Sequence, residues 1–185
     1  MVTRTLYICH ESKSTSSFKL DFSYVKVTSF RIRSLSCLCN LRMNSHKLIE
    51  KTCLYVKNEL ANDGSGHDWW HIYRVWTLAK NIAQIEGADL TIVELSALLH
   101  DIADWKFNDG DESAGPKQAK KWLTKNNADP MIIDTVYEII ATLSFKGAGV
   151  ATPMRTIEGK VVQDADRLDA IGAMGIARTF AYGGN

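Results

Sequence analysis

At 185 residues the chain is long enough for one domain with a full-sized core and a tail. Its formal net charge of +1 hides an asymmetry: residues 1–42 carry seven Lys/Arg against two Asp/Glu, and residues 43–185 carry fifteen against nineteen. A body of net negative charge has no global field to draw in nucleic acid, which argues against polymeric DNA or RNA as a partner. No run approaches the roughly 20 apolar residues needed to span a bilayer, so no membrane partner is expected. The four cysteines stand at no metal-finger or disulfide-framework spacing, which fits a reduced, cytoplasmic compartment.

Residues 1–42 are rich in Ser, Thr, Arg and Lys and lack the apolar core of a secretory signal. This composition resembles an organelle transit peptide, which would make the location organellar. An upstream extension with no folded role fits equally well, because Met43 opens a different charge balance and a clear helical pattern. Disorder or poor packing is expected over 1–42, with residues 25–32 passing for a short strand. The domain proper is assigned to residues 43–185.

From Met43 the pattern is helical. Leu48 or Ile49, Cys53, Val56 and Leu60 recur at three- and four-residue intervals, predicting an amphipathic helix over 45–61 that ends in the breaker cluster 62–66. A second helix runs from the neighbourhood of His67 and Asp68 to Ile85, carries Ile72, Val75, Ala79 and Ile82 on one side, and stops at Gly87. Thr91 and Glu94 read as a capping box that opens a third helix. After Trp105 the acidic loop 107–115 breaks the pattern, and Pro116 begins a fourth helix. Asp129-Pro130 caps a strongly apolar fifth helix, expected to be central, with Ile132, Ile133, Val136, Ile139, Ile140 and Leu143. Residues 147–153 form a loop before a sixth helix from about Ile157, and Gly172, Gly175, Gly183 and Gly184 suggest tight packing of a last one. The prediction is an all-α domain of six or seven helices.

Residues 97–104, Ala-Leu-Leu-His-Asp-Ile-Ala-Asp, place His100 and Asp101 inside an apolar run. A buried pair of this kind needs hydrogen bonds, an opposite charge or a metal. Asp104, four residues after His100, falls on the same helix surface. His71 on the second helix and Asp166 on the sixth are likewise polar groups in apolar surroundings. If the four converge, two imidazoles and two carboxylates suit a six-coordinate divalent ion: Mn²⁺, Fe²⁺, Ni²⁺, Co²⁺ or Mg²⁺. With no cysteine in the set, a closed structural zinc site is disfavoured. Bland roles compete. A histidine at a helix start, such as His71, is more often a cap or a partly buried polar residue, Asp68 is well placed as an N-cap, Asp164 is out of phase with Asp166, and Asp104 and Asp169 fit exposed ion pairs. Only His100-Asp101 resists a purely structural reading.

The ordered set His71 followed by Arg74-Val75, His100-Asp101 closing Ala-Leu-Leu-His-Asp, and Asp166 within Asp164-Ala-Asp-Arg-Leu-Asp169 resembles the HD-domain phosphohydrolase superfamily. The flanking strings at 66–75 and 164–184 look like its small single-domain branch that hydrolyses nucleotide phosphates. The resemblance covers residues 43–184. It implies a single HD-domain helical bundle in which His71, His100, Asp101 and Asp166 hold the metal, manganese foremost. Relatives continue past Tyr182-Gly-Gly184, so the resemblance also implies an HD domain short at its C-terminus.

The chemistry expected of such a site is hydrolysis of a phosphate ester or anhydride by a metal-activated water. A nucleoside triphosphate split into monophosphate and pyrophosphate is the preferred case. Asp104 is the candidate general base. Arg74 is the candidate phosphate clamp, against an ion pair with Asp104 or Asp101, and Lys146 and Arg167 are lesser phosphate contacts. Trp69, Trp70, Tyr73, Trp105 and Phe107 could stack a base, though such residues are more often core. Phosphomonoesterase or phosphodiesterase action and a metal-binding but inactive module are the alternatives. A di-iron oxygenase is disfavoured, because only His10, His46 and His67 remain as further ligands.

Overall fold

The computed structural model describes residues 29–61, 68–103, 111, 113–144, 147 and 149–183. Seven helices occupy most of them: α1 (Ser29–Glu59), α2 (Trp69–Glu86), α3 (Leu90–Leu99), α4 (Ala114–Lys125), α5 (Pro130–Leu143), α6 (Ile157–Asp169) and α7 (Gly172–Gly183). No strand occurs among the described residues. No helix of theirs is long and apolar enough to cross a membrane.

The chain divides into two units at Met43 and Asn44. In the first, residues 29–43 are helical. Residues 29–32 therefore belong to a helix and not to the expected short strand; residues 25–28 lie outside the described residues. The physical reason is in the sequence, where Leu35, Leu38 and Leu41 recur every three residues and carry the helical register upstream of Met43.

In the second unit the helix ends follow from local chemistry. Asp68 caps α2 by accepting from the His71 backbone N–H at 3.0 Å, and Gly87 closes the helix in the left-handed region at φ +70°. Asp129 caps α5, with Pro130 at the first helical position. Thr156 caps α6 by accepting from the Gly159 N–H. Two starts differ from expectation. The cap of α3 is Asp89, which accepts from the Thr91 and Ile92 N–H groups, while Glu94 accepts from the Trp76 indole at 2.8 Å. A carboxylate is the better N-cap, and it displaces the Thr91 capping box. Helix α4 begins at Ala114, two residues before Pro116.

Helix α3 is the most enclosed element, with Val93, Leu95, Ser96, Ala97, Leu98 and Leu99 all buried. A helix apolar on every side belongs in the interior, and α3 takes the central place expected of α5. On one side it meets Leu48 and Val56 of α1, Leu60 just past its end, Ala119 and Leu123 of α4, and Ile133, Val136 and Ile140 of α5. On the other it meets Val75, Ala79 and Ala83 of α2 and Val161, Val162 and Ala165 of α6. Each fully buried Leu or Val contributes about 1.5–3 kcal/mol over its exposed state. A Tyr55–Trp122 stack at 3.8 Å and a Trp122 indole bond to Thr52 tie α1 to α4. At the end of α6 the chain turns through Gly172 at φ +70°, and a Cβ on Gly175 would run into the Ala170 carbonyl oxygen, so glycine is required there.

Candidate metal centre

The packing of α2 and α6 against α3 brings three separated sequence motifs to one place. His71 sits in the first turn of α2, its backbone fixed by the Asp68 cap and its ring fully buried. His100 is the C-cap of α3, which ends at Leu99. The His-Asp pair thus stands at the helix end and not within it. The His100 ring donates from Nδ1 to the Ala97 carbonyl at 2.9 Å, which directs Nε2 toward His71.

The inward atoms form a tight cluster. His71 Nε2 lies 3.3 Å from His100 Nε2, 3.3 Å from Asp101 Oδ2 and 3.4 Å from Asp166 Oδ1. His100 Nε2 lies 3.4 Å from Asp101 Oδ2 and 3.7 Å from Asp166 Oδ1. Potential ligand atoms of His71, His100 and Asp101 all fall within 4.8 Å of one another, and Asp166 joins them through its approach to both imidazoles. The set fits a divalent ion chemically: ligands about 2.0–2.2 Å from an ion stand about 3 Å apart, and imidazoles with carboxylates suit Mn, Fe, Co or Ni.

The electrostatics match. Burial works to lower the His71 pKa, but the carboxylates of Asp101, Asp166 and Asp169 outweigh it and push it up to about 9. His100 is also raised, since Asp101 and Asp166 outweigh its burial. Burial would raise Asp166, and Asp101 presses the same way, yet the two imidazoles hold it well below the usual carboxylate range. This is a pocket of concentrated negative charge that takes up positive charge.

Behind His71 lies a contact that sequence reasoning missed. Asp169, expected to be exposed, is buried, and its Oδ2 lies 2.7 Å from His71 Nδ1. Arg74 grips the same carboxylate with both arms, Nε to Oδ1 at 2.7 Å and Nη2 to Oδ2 at 2.9 Å. Its ion-pair partner among the described residues is therefore Asp169, in place of Asp101. Arg178 of α7 adds a third basic group, with Nη1 3.4 Å from Asp169 Oδ2 and 3.2 Å from His71 Nδ1. In the sequence Asp169 closes the string Asp164-Ala-Asp-Arg-Leu-Asp169 one turn after Asp166, and Arg178 falls within the flanking string 164–184, but neither spacing nor polarity marked either one as part of the site.

Asp104, His10, His67, Trp105, Phe107 and Lys146 lie outside the described residues. Asp164 is exposed, as expected. Arg167 donates to Thr152 Oγ1. His46 is exposed beside Glu50. Trp70 and Tyr73 are exposed, and Trp69 packs against the larger core cluster.

Two buried histidines and two partly buried aspartates clustered where three helices meet, in a domain without strands among its described residues, define an HD-type fold. The HD domain family model matches residues 69–171, and the chain belongs to that family. The uncharacterized protein YpgQ of Bacillus subtilis (strain 168) is 43% identical over 147 residues, covering 77% of this chain and 69% of YpgQ. Among solved structures, one from Lactobacillus plantarum matches with TM-score 0.66 at 36% identity, over 75% of this chain and 63% of that one. Bacillus subtilis YpgQ in complex with ADP matches with TM-score 0.61 at 40% identity, over 76% and 68%. An HD-superfamily hydrolase from Bacillus thuringiensis matches with TM-score 0.60 at 46% identity, over 76% and 66%. The chain thus spans just under two thirds of the Lactobacillus plantarum and Bacillus thuringiensis chains.

Proposed function

We propose that this chain carries the metal-binding core of a phosphohydrolase acting on small nucleotides, splitting a phosphate ester or anhydride. The observation that carries the reading is the approach of Asp101 and Asp166 to the His71 and His100 imidazoles, and of these to each other, at 3.3–3.7 Å, from α2, α6 and the turn that ends α3. These four would hold the ion, Mn²⁺ foremost. The chemistry a divalent ion would supply when held there is an activated water as nucleophile and neutralisation of phosphoryl charge.

The chain's own groups prepare that chemistry. The Ala97 carbonyl fixes the His100 ring, and the Asp68 cap fixes the His71 backbone. The carboxylates of Asp101 and Asp166 would balance the charge of a bound dication, so that a phosphate would meet a near-neutral centre. Asp104, four residues after His100 in sequence, is assigned as the general base that orients the attacking water. Arg74 spends two donors on Asp169 and so acts through that carboxylate. The complex of YpgQ with ADP supports a nucleotide ligand, and the Bacillus thuringiensis hydrolase supports hydrolysis.

The test is a product assay on Mn²⁺-loaded protein with nucleoside tri-, di- and monophosphates, separating phosphate from pyrophosphate. Pyrophosphate released from a triphosphate is the expected outcome. Bound Mn²⁺ with neither product from any nucleotide overturns the enzymatic reading in favour of a metal-binding module.

A further inference from the structure

His71 has two ring nitrogens with opposite surroundings. Nε2 faces His100, Asp101 and Asp166 at 3.3–3.4 Å. Nδ1 faces Asp169 Oδ2 at 2.7 Å, with both side chains almost wholly enclosed. A neutral imidazole carries one N–H and one lone pair, and an ionised carboxylate only accepts, so Asp169 draws the hydrogen to Nδ1. An ion at the inward side needs the lone pair on Nε2.

We propose that Asp169 is the positioning residue of the metal centre: it selects the Nδ1–H form of His71, and Arg74 and Arg178 lock its carboxylate in place for that task. This deepens the metal-centre reading above and rests on it. Asp169 is tied to α2 by the two-pronged Arg74 contact and to α7 by Arg178. The Arg178 guanidinium and His71 Nδ1 are both donors, and both converge on Asp169 Oδ2, which accounts for their 3.2 Å approach without a bond between them. Spacing on α6 makes this possible, because one helical turn separates Asp166, turned to Nε2, from Asp169, turned to Nδ1. A plain ion pair between Arg74 and Asp169 would not require a buried imidazole at 2.7 Å. The arrangement also makes α7 a support of the centre through Arg178.

Asp169→Asn keeps the shape but offers an amide N–H to Nδ1, which favours the ring form with hydrogen on Nε2. Outer partners of metal-bound histidines are worth about 10–100-fold in metal affinity, so Mn²⁺ binding by calorimetry should weaken by about that factor, with helicity by circular dichroism retained. In the metal-free protein, ¹⁵N spectra taken above the pH at which His71 loses its second proton should show Nδ1–H in the wild type and Nε2–H in Asp169→Asn. A wild-type ring protonated on Nε2, or unchanged Mn²⁺ affinity in a folded Asp169→Asn, overturns the proposal. Should that variant not fold, Arg178→Met removes one donor from outside the cluster. A several-fold loss of Mn²⁺ affinity then supports the proposal, and unchanged affinity contradicts the part given to Arg178. A wild-type chain that binds no Mn²⁺ but has the Nδ1–H ring overturns the metal reading while upholding the orientation of His71 by Asp169.

Discussion

Asp166 and Asp169, one turn apart on α6, address opposite nitrogens of a single imidazole: Asp166 lies 3.4 Å from Nε2 of His71 and Asp169 2.7 Å from Nδ1. Helical spacing alone achieves this, since residues three apart share a face. On the proposed reading, α6 would both contribute to the centre through Asp166 and aim His71, the ligand supplied by α2.

The metal-free protein should show a distinct pH profile. Burial works against a charged His71, but Asp101, Asp166 and Asp169 raise its pKa from 6.5 to about 9. A group raised on folding stabilises the fold fully below its unfolded pKa and loses that contribution as pH climbs through the folded value. Asp166 and Asp169, held low against the effect of burial by His71 with His100 or Arg74, contribute above the ordinary carboxylate range and lose it only in strong acid. Thermal melts in chelator should therefore give a Tm that falls by several degrees between pH 6.5 and about 9. A flat Tm across that window would contradict the pairing. Since Mn²⁺ must displace the Nε2 proton, its affinity should rise over the same range.

Asp68→Ala removes the cap that fixes the first turn of α2, where His71 sits. The expected cost is about 1 kcal/mol of stability, together with weaker Mn²⁺ binding. Urea unfolding and calorimetry on one preparation check both. Loss of stability with unchanged Mn²⁺ affinity would mean that the cap does not serve the centre.

Leu98→Ala opens the middle of the core, because Leu98 on α3 has no exposed surface. The loss should be about 2–5 kcal/mol by urea unfolding. Ile85→Ala, at a position 84% exposed, should change stability by no more than about 0.5 kcal/mol. Equal effects at the two positions would contradict the placement of α3.

Much of the fold was legible because its determinants are local. Asp68, Gly87, Asp129-Pro130 and the apolar periodicities of α2, α5 and α6 each act within a few residues, and each predicts the element found. Choices between near neighbours were not legible: Asp89 and Thr91 both suit a cap, and only the carboxylate takes the role. The centre divides in the same way. His71, His100, Asp101 and Asp166 stand out as polar residues in apolar runs. The support behind them joins Arg74 and His71 to Asp169 across 95 and 98 positions, and Arg178 of α7 converges on the same carboxylate. No spacing rule reaches that far, so a residue such as Asp169 reads as one more surface acid until the helices are packed.

Titration of the chelated protein with Mn²⁺, comparing wild type with His100→Ala and Asp101→Ala, tests the central claim most directly. The wild type should bind one ion, and each variant should lose binding, and with it nucleotide turnover, while keeping most of its helicity. Equal Mn²⁺ binding by the wild type and both folded variants would contradict the assignment of this cluster as the metal centre.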